Sequence, residues 1–384
     1  MRLLHVIRGT DPETGGPIEA LIRISEVLMR DGHEVEVVSL EEAEDARRRN
    51  FPFPITGLGE GVGRYHYNAR LKPWLRERAN NFDAVVLHGL WNYSSMGAWR
   101  ALRRHATPYF IFTHGMMDPW FRERYPLKHL AKQMFWLLGE GLVLRDANAV
   151  LFTCEEERLR SRNAFWGFDY RERVALLGTA DPRGDAEMEK AAFSEAYPQL
   201  HGRKFLLFLS RIHPKKGCDL LVEAFGALAK ELPDHLDLVM AGPDALGWIP
   251  ELEKTAKTLG MAHRIHWVGM LKGALKWGAL RSAEALILPS HQENFGIVVA
   301  EAMACSTPVL ISNKVNIWRE VEASEAGLAE NDDAEGTRSL IRRFCALGAE
   351  ERARMKTSAR AGFLKYFDIE NTAQEFARAI GFSE

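Results

Sequence analysis

Short apolar runs recur along the chain, each followed by a small or polar turn and then by a stretch with helical spacing. Residues 2–8 open the series as a strand, and Gly9 to Gly16 follow as a glycine-bearing loop. An amphipathic helix is predicted over 17–30, after which Gly32-His33 turns into a second strand, 34–39. Residues 84–87 and 109–112 are two more strands, each delivered to a His-Gly pair, His88-Gly89 and His114-Gly115. The runs 147–153 and 173–177 read as the last strands of a first domain. Strands restart at 205–209, 236–241, 265–268, 285–288 and 308–311, with helices predicted at 332–347 and 349–365. Runs that are apolar throughout, and do not alternate, belong to parallel strands covered on both faces. Their regular exchange with helical stretches predicts an α/β protein with parallel sheets. Between the two series lies 181–204, which opens on Asp181-Pro182-Arg183-Gly184-Asp185, continues as a polar helix and is the best candidate linker. The domains are therefore placed at 1–182 and 203–365. Residues 41–73, charged and glycine-rich, read as an irregular surface loop.

Composition narrows this. A chain of 384 residues with 46% apolar residues is long enough for two full cores. A net charge of −2 argues against a nucleic-acid partner, which needs a strongly basic face. Cys154, Cys218, Cys305 and Cys345 are dispersed and form no C-x-x-C, as reduced thiols in a cytoplasmic protein do. The run 3–7 stops at Arg8, too short for a signal peptide. The run 134–144 is broken by Glu140 and is too short to span a bilayer. The expectation is a cytoplasmic protein, soluble or peripheral at the inner face of the membrane. Residues 121–145 interleave Arg122, Arg124, Lys128 and Lys132 with Tyr125, Leu130, Phe135 and Trp136. The favoured reading is a packed helix with a solvated basic face, because Glu123 and Glu140 dilute the charge. The other is an interfacial helix on an anionic membrane that carries a lipid-linked acceptor.

Candidate chemistry concentrates in 289–312. Glu301 is the only charged residue between Ile297 and Asn313, with Ile297 one helical turn before it and Cys305 one turn after. A lone carboxylate on an apolar face is costly unless a ligand or partner satisfies it, so such a break marks a site. Glu293 stands eight positions earlier, which gives E-x7-E. Between them Asn294-Phe295-Gly296 would present free N–H groups, and the positive end of a helix dipole, to a phosphate. Arg211 and Lys216 flank a proline in a short loop after the 205–209 strand. Two unit charges ~4 Å apart are worth ~4 kcal/mol at a near-surface dielectric, enough to help neutralise a leaving diphosphate. The opening loop lacks G-x-G-x-x-G, which argues against a dinucleotide-dependent oxidoreductase. No D-x-D triplet stands at a strand end.

The E-x7-E segment with Phe-Gly after its first glutamate, the Arg-x4-Lys-Gly loop and the run THGMMDPW around His114 together resemble one family. It is the retaining, nucleotide-sugar-dependent glycosyltransferases of the GT-B fold, of the family 4 type, which includes many bacterial polysaccharide and lipid-glycan enzymes. The resemblance implies two Rossmann-like domains with a donor-binding cleft between them, and a C-terminal helix, 366–384, that packs back on the first domain. It implies transfer of a sugar, with retention and no essential metal or cofactor, from a UDP- or GDP-linked donor to a hydroxyl acceptor. The acceptor would be a sugar or lipid-linked glycan, in cell-surface polysaccharide or glycolipid biosynthesis. By the same resemblance Glu301 holds the ribose hydroxyls, and Asn294, Phe295 and Gly296 receive the diphosphate. Arg211 and Lys216 neutralise it, Gly15 and Gly16 approach it, and the turns at Gly242 and Val268 hold the base. Glu293 and His114 are the catalytic pair, Glu293 near the reacting carbon and His114 on the sugar from the other side; His88 stays open between site and structure. Leu177-Gly178-Thr179 departs from the family's Asn-Gly pair at the hinge. Two alternatives keep the fold: a GT-B epimerase or hydrolase that needs no acceptor, and a catalytically silent nucleotide-sugar binder. Glu293, Glu301, Arg211, Lys216 and His114 occurring together argue against the silent binder.

Overall fold

Each long apolar run forms a strand that pairs in parallel with its neighbours. In a computed structural model describing residues 1–11, 16–48 and 51–381, the chain falls into two units, Met1–Ala180 with Ile369–Glu384, and Asp181–Asp368. The first holds β1 (Arg2–Ile7), β2 (Glu34–Ser39), β3 (Ile55–Gly57), β4 (Ala84–His88), β5 (Tyr109–Phe112), β6 (Ala149–Phe152) and β7 (Glu172–Val174). They lie in the order β3-β2-β1-β4-β5-β6-β7. The second holds β8 (Lys204–Leu209), β9 (Leu236–Ala241), β10 (Ile265–Gly269), β11 (Ala285–Leu288), β12 (Val309–Ser312) and β13 (Gly327–Glu330), ordered β10-β9-β8-β11-β12-β13. Central strands such as β4, β9 and β11 are buried at every position, as a sheet covered on both faces requires. In both sheets the order reverses beside the first strand, between β1 and β4 and between β8 and β11. Ligands of open α/β sheets bind beyond the carboxyl ends of strands at such switch points.

Two expectations are corrected. Within 41–73 the chain is not wholly irregular: it forms a helix, Ala43–Arg48, then β3, which pairs Ile55 to Gly57 with Val37 to Ser39, and a helix that begins at Leu71. A strand of three residues is too short to show as an apolar run. The polar helix expected in the proposed linker is Ala186–Ala196, capped by the Asp185 carboxylate, which accepts from the amides of Glu187 and Met188, but the segment belongs to the second unit. It packs on the helix Gly273–Ser282 of the same unit, with Arg281 Nε 2.7 Å from the buried Glu189. Its polar look came from a seam made by an ion pair and one buried ring, Phe193.

The last helix, Ile369–Ala379, belongs to the first unit. Arg30 pairs with Glu370 at 2.6 Å, Gln374 donates to Asp31, and Phe376 stacks on His5 and Phe112. All four cysteines are free thiols, three of them buried. Among the described residues no helix is long and apolar enough to cross a membrane.

Candidate active site

In the second unit the loops that leave the neighbouring strands β8 and β11 touch. The His291 amide donates to the Lys215 carbonyl at 2.9 Å, and Gly217, at φ 67°, lies so close to Pro289 that a Cβ would stand 2.2 Å from its carbonyl oxygen. Only glycine allows that approach. The His213 side chain accepts from the Lys215 amide and opens the turn Pro214–Lys216, which carries Lys216 inward. Its buried ammonium pairs with the Glu293 carboxylate. Burial, with Lys215 and Arg211 adding repulsion, pushes that ammonium down to about 7, and the Glu293 charge opposes the push. Glu293 is fixed through its backbone, donating to the Lys314 carbonyl at 3.0 Å and accepting from the Asn316 amide at 3.1 Å.

Gly296, at φ 74°, is the N-cap of the helix Ile297–Ala304, and the buried Phe295 ring meets Phe367 edge-on. No described hydrogen bond uses the amides of Phe295 or Gly296. They stand at the positive end of the helix, where an anion is favoured. On the same helix Glu301 is not the lone carboxylate its local sequence indicates. Lys276, from the helix Gly273–Ser282, reaches it at 2.6 Å and lies 4.2 Å from the centre of the Trp277 ring. The cation comes from 25 positions earlier, so no local pattern could display it.

The first unit carries a chain of imidazoles across its switch point. His5 on β1 bonds His88 at the end of β4 at 2.8 Å, and His88 bonds His114 beyond β5 at 3.0 Å. Burial lowers His5 to about 3 and His114 to about 4, and takes His88 well below its ordinary value, with its two neighbours adding to the shift. His88, neutral, donates from one ring nitrogen and accepts at the other, whereas His5 bonds through Nδ1 alone and its buried Nε2 has no partner among the described residues. The three rings line a small cavity with Leu21, Ile24, Leu177 and Phe376. His114 has φ 49°, and its loop is held by the buried Glu157. One oxygen of Glu157 accepts from the Thr113 hydroxyl (2.7 Å) and the Gly115 amide (2.6 Å). The other accepts from the Thr153 amide (2.7 Å) and hydroxyl (2.6 Å).

Comparison with known proteins agrees with this layout. The family model described as "Glycosyl transferase 4-like domain" matches residues 15–179, and the one described as "Glycosyl transferases group 1" matches 189–362. The chain belongs to the group 1 glycosyltransferases. Among relatives of this glycosyltransferase is the D-inositol 3-phosphate glycosyltransferase of Geodermatophilus obscurus, 27% identical over 301 residues, 74% of this chain and 66% of that one. Another is the phosphatidyl-myo-inositol mannosyltransferase of Mycobacterium leprae, 28% identical over 330 residues, 82% of this chain and 79% of that one. The solved structure of Anabaena Alr3699/HepE with UDP and glucose superposes with a TM-score of 0.76 at 18% identity, covering 99% of both chains. That likeness is one of fold: two Rossmann-like domains, the GT-B arrangement.

The remaining predicted residues of the glycosyltransferase fall as follows. Gly15 lies outside the described residues, and Gly16 opens the helix Gly16–Arg30. Arg211 is exposed at the start of the Lys216 loop. The Gly242 amide donates to the Gly269 carbonyl at 2.7 Å, and a Cβ there would stand 1.7 Å from the Ser210 carbonyl oxygen. The Val268 carbonyl accepts from the Tyr197 hydroxyl at 3.1 Å. The structure thus brings Lys216 to Glu293 and His88 to His114, and it gives Glu301 a partner of its own. Sequence reasoning missed His5, whose signal was a polar residue inside Leu3-Leu4-His5-Val6-Ile7. It also missed Lys276 and Tyr197, and Glu157, hidden in the charge run Glu155-Glu156-Glu157.

Proposed function

We propose that this glycosyltransferase transfers a sugar from a UDP- or GDP-linked donor to a hydroxyl acceptor with retention of the anomeric configuration, serving polysaccharide or glycolipid synthesis. The observation that carries the reading is the Lys216–Glu293 pair at the β8/β11 switch point, beside the amides of Phe295 and Gly296. A nucleotide diphosphate offers Lys216 and Arg211 the anion they need, and those side chains, in place of a metal ion, neutralise the leaving group. The bond between the anomeric carbon and the β-phosphate oxygen breaks while the acceptor oxygen bonds on the same face. The acceptor proton passes to the released phosphate oxygen. Glu293, freed from Lys216, stabilises positive charge growing at the anomeric carbon. His114 holds the sugar, Glu301 the ribose, and the turns at Gly242 and Val268 the base. The names of the two relatives support an acceptor built on a polyol phosphate or its lipid.

The test is a thermal-shift screen with UDP, GDP and their sugars, followed by transfer assays with and without a chelator. A bound ligand at 100 times its Kd adds about 2.7 kcal/mol. The expected result is a rise with one nucleotide, turnover insensitive to chelation, and a product of unchanged anomeric configuration by NMR. Donor hydrolysis or isomerisation that no acceptor redirects would overturn the reading in favour of an epimerase or hydrolase.

A further inference from the structure

The helix Pro126–Phe135 and the turn after it are amphipathic in the reverse sense. Leu127 is 84% exposed, Leu130 62%, Met134 61% and Leu138 80%. Spaced three and four apart, they form one apolar row facing solvent. The side turned to the protein mixes polar and aromatic groups, with Phe135 edge-on to Tyr65 and Trp136 buried against Phe165. Gln133 is buried and doubly bonded to the Trp166 backbone (3.0 and 3.2 Å), His129 stacks on Phe165, and Lys132 lies half-buried 4.6 Å from the centre of the Trp91 ring. Arg122, Arg124 and Lys128 are exposed, as the favoured sequence reading of a solvated basic face has it, and the apolar row is exposed beside them. A helix that leaves four large apolar side chains in one exposed row beside its cations has that row set for something other than water.

Charge identifies the occupant. Residues 120–138 carry Arg122, Arg124, Lys128 and Lys132 against Glu123, a net of +3 (4 − 1) with His neutral. Arg124 and Lys128 are exposed, Lys128 lying over the Tyr125 ring at 4.7 Å, and Trp166, tied to the helix through Gln133, is 66% exposed. A second copy of the chain seated on this row would set one +3 segment against another, whereas an anionic lipid surface neutralises it. Long cationic stems beside an apolar row, with an indole at its edge, match the boundary between headgroups and acyl chains. We propose that this face docks the protein on an anionic membrane, with Leu127, Leu130, Met134 and Leu138 entering the interface and Arg124 and Lys128 at the level of the lipid phosphates. The inference does not rest on the proposed reaction.

The test is sedimentation of the full chain with phosphatidylcholine vesicles and with vesicles that also hold about one-third phosphatidylglycerol, at low and at moderate salt. Binding is expected only to the anionic vesicles, weakening with salt. The double variant Leu130→Glu/Met134→Glu changes side chains that already face water, so its circular dichroism and Tm should stay unchanged while binding falls at least tenfold. Arg124→Glu/Lys128→Glu should weaken binding several-fold. No binding at low salt, or binding that the apolar double variant leaves intact, would overturn the proposal. So would a dimer that this variant converts to monomer. Because the readout needs no substrate, failure here leaves the transferase reading untouched.

Discussion

Between β1 and β4 the first unit carries three neutral imidazoles, whereas between β8 and β11 the second carries a lysine set against a glutamate. The same topology thus receives two electrostatic treatments. The imidazole chain has lost its capacity for charge through burial, and what it offers a ligand is a directed hydrogen bond, with His114 at the outer end and His88 and His5 fixing its tautomer. Lys216 pairs with Glu293, and a second lysine, Lys276, pairs with Glu301. Each pair holds its place because removing one member alone leaves a desolvated charge. The difference teaches that the second unit is built to meet an anion and the first to offer a neutral group a directed hydrogen bond.

The largest effect expected from breaking this comparison is one of pH. The native pKa values of His5, His88 and His114 lie below the unfolded value near 6.5. Stability from the neutral chain is therefore complete above about pH 6.5 and lost as pH falls, because the unfolded chain takes up protons that the native one refuses. With three extra protons on the unfolded state the slope approaches roughly 4 kcal/mol per pH unit around pH 5. His88→Gln removes one titrating ring and should cut that slope by about a third. Denaturant melts of both proteins between about pH 7 and about pH 5 would check it. Equal slopes in the two proteins would mean that His88 is charged in the native state and that the contrast between the units fails.

How much of this was legible follows from where each signal is stored. The strands of both sheets other than β3 and β13 were readable because a buried parallel strand writes itself as an unbroken apolar run, as in Ala285 to Leu288. Glu293, Gly296 and Glu301 were readable because one loop and one helix carry them all. Strand β3 was not, being three residues long, nor was β13, four half-buried residues that open on glycine, nor the packing of the polar helix Ala186–Ala196 on the distant Gly273–Ser282. The pairs Lys216–Glu293 and Lys276–Glu301 span 77 and 25 positions, and residues that distant in sequence share no local periodicity. Glu157 was invisible for another reason: its partners are backbone amides and hydroxyls, which leave no complementary charge in the sequence.

The two signature glutamates should fail differently, which sharpens the contrast inside the second unit. Ribose hydroxyls are held alike in ground and transition states, so Glu301→Gln should raise the donor KM by the value of a charged hydrogen bond, roughly 1.5–3 kcal/mol or about 10- to 100-fold. Glu293→Gln should lower kcat by a similar factor, because its carboxylate acts on charge that appears only in the transition state, and should change nucleotide affinity only through the loss of its pair with Lys216. Initial rates and nucleotide titration of each variant decide between them. Normal nucleotide binding by Glu301→Gln, or full kcat in Glu293→Gln, would exchange or cancel the roles.

The smallest effect concerns the Lys216 proton. Its native pKa of about 7 lies far below the unfolded value near 10.4, so the free protein carries a penalty that is full below about pH 7 and relieved as pH rises toward 10. A bound diphosphate favours the ammonium and raises its pKa. Nucleotide affinity is therefore greatest below about pH 7 and declines above it, by up to about tenfold per pH unit until the bound-state value is reached. Lys216→Arg stays protonated throughout and should lack this decline, while keeping a cation near Glu293. The nucleotide's own titration acts equally on both proteins and cancels in their ratio. Calorimetric titrations from about pH 6.5 to about pH 8.5, in buffers of different ionisation enthalpy, give affinity and proton uptake together. Wild type should take up a fraction of a proton above pH ~7 and the arginine variant none. If both take up the same fraction, the titrating group is not Lys216, and the charge that meets the diphosphate there is permanent.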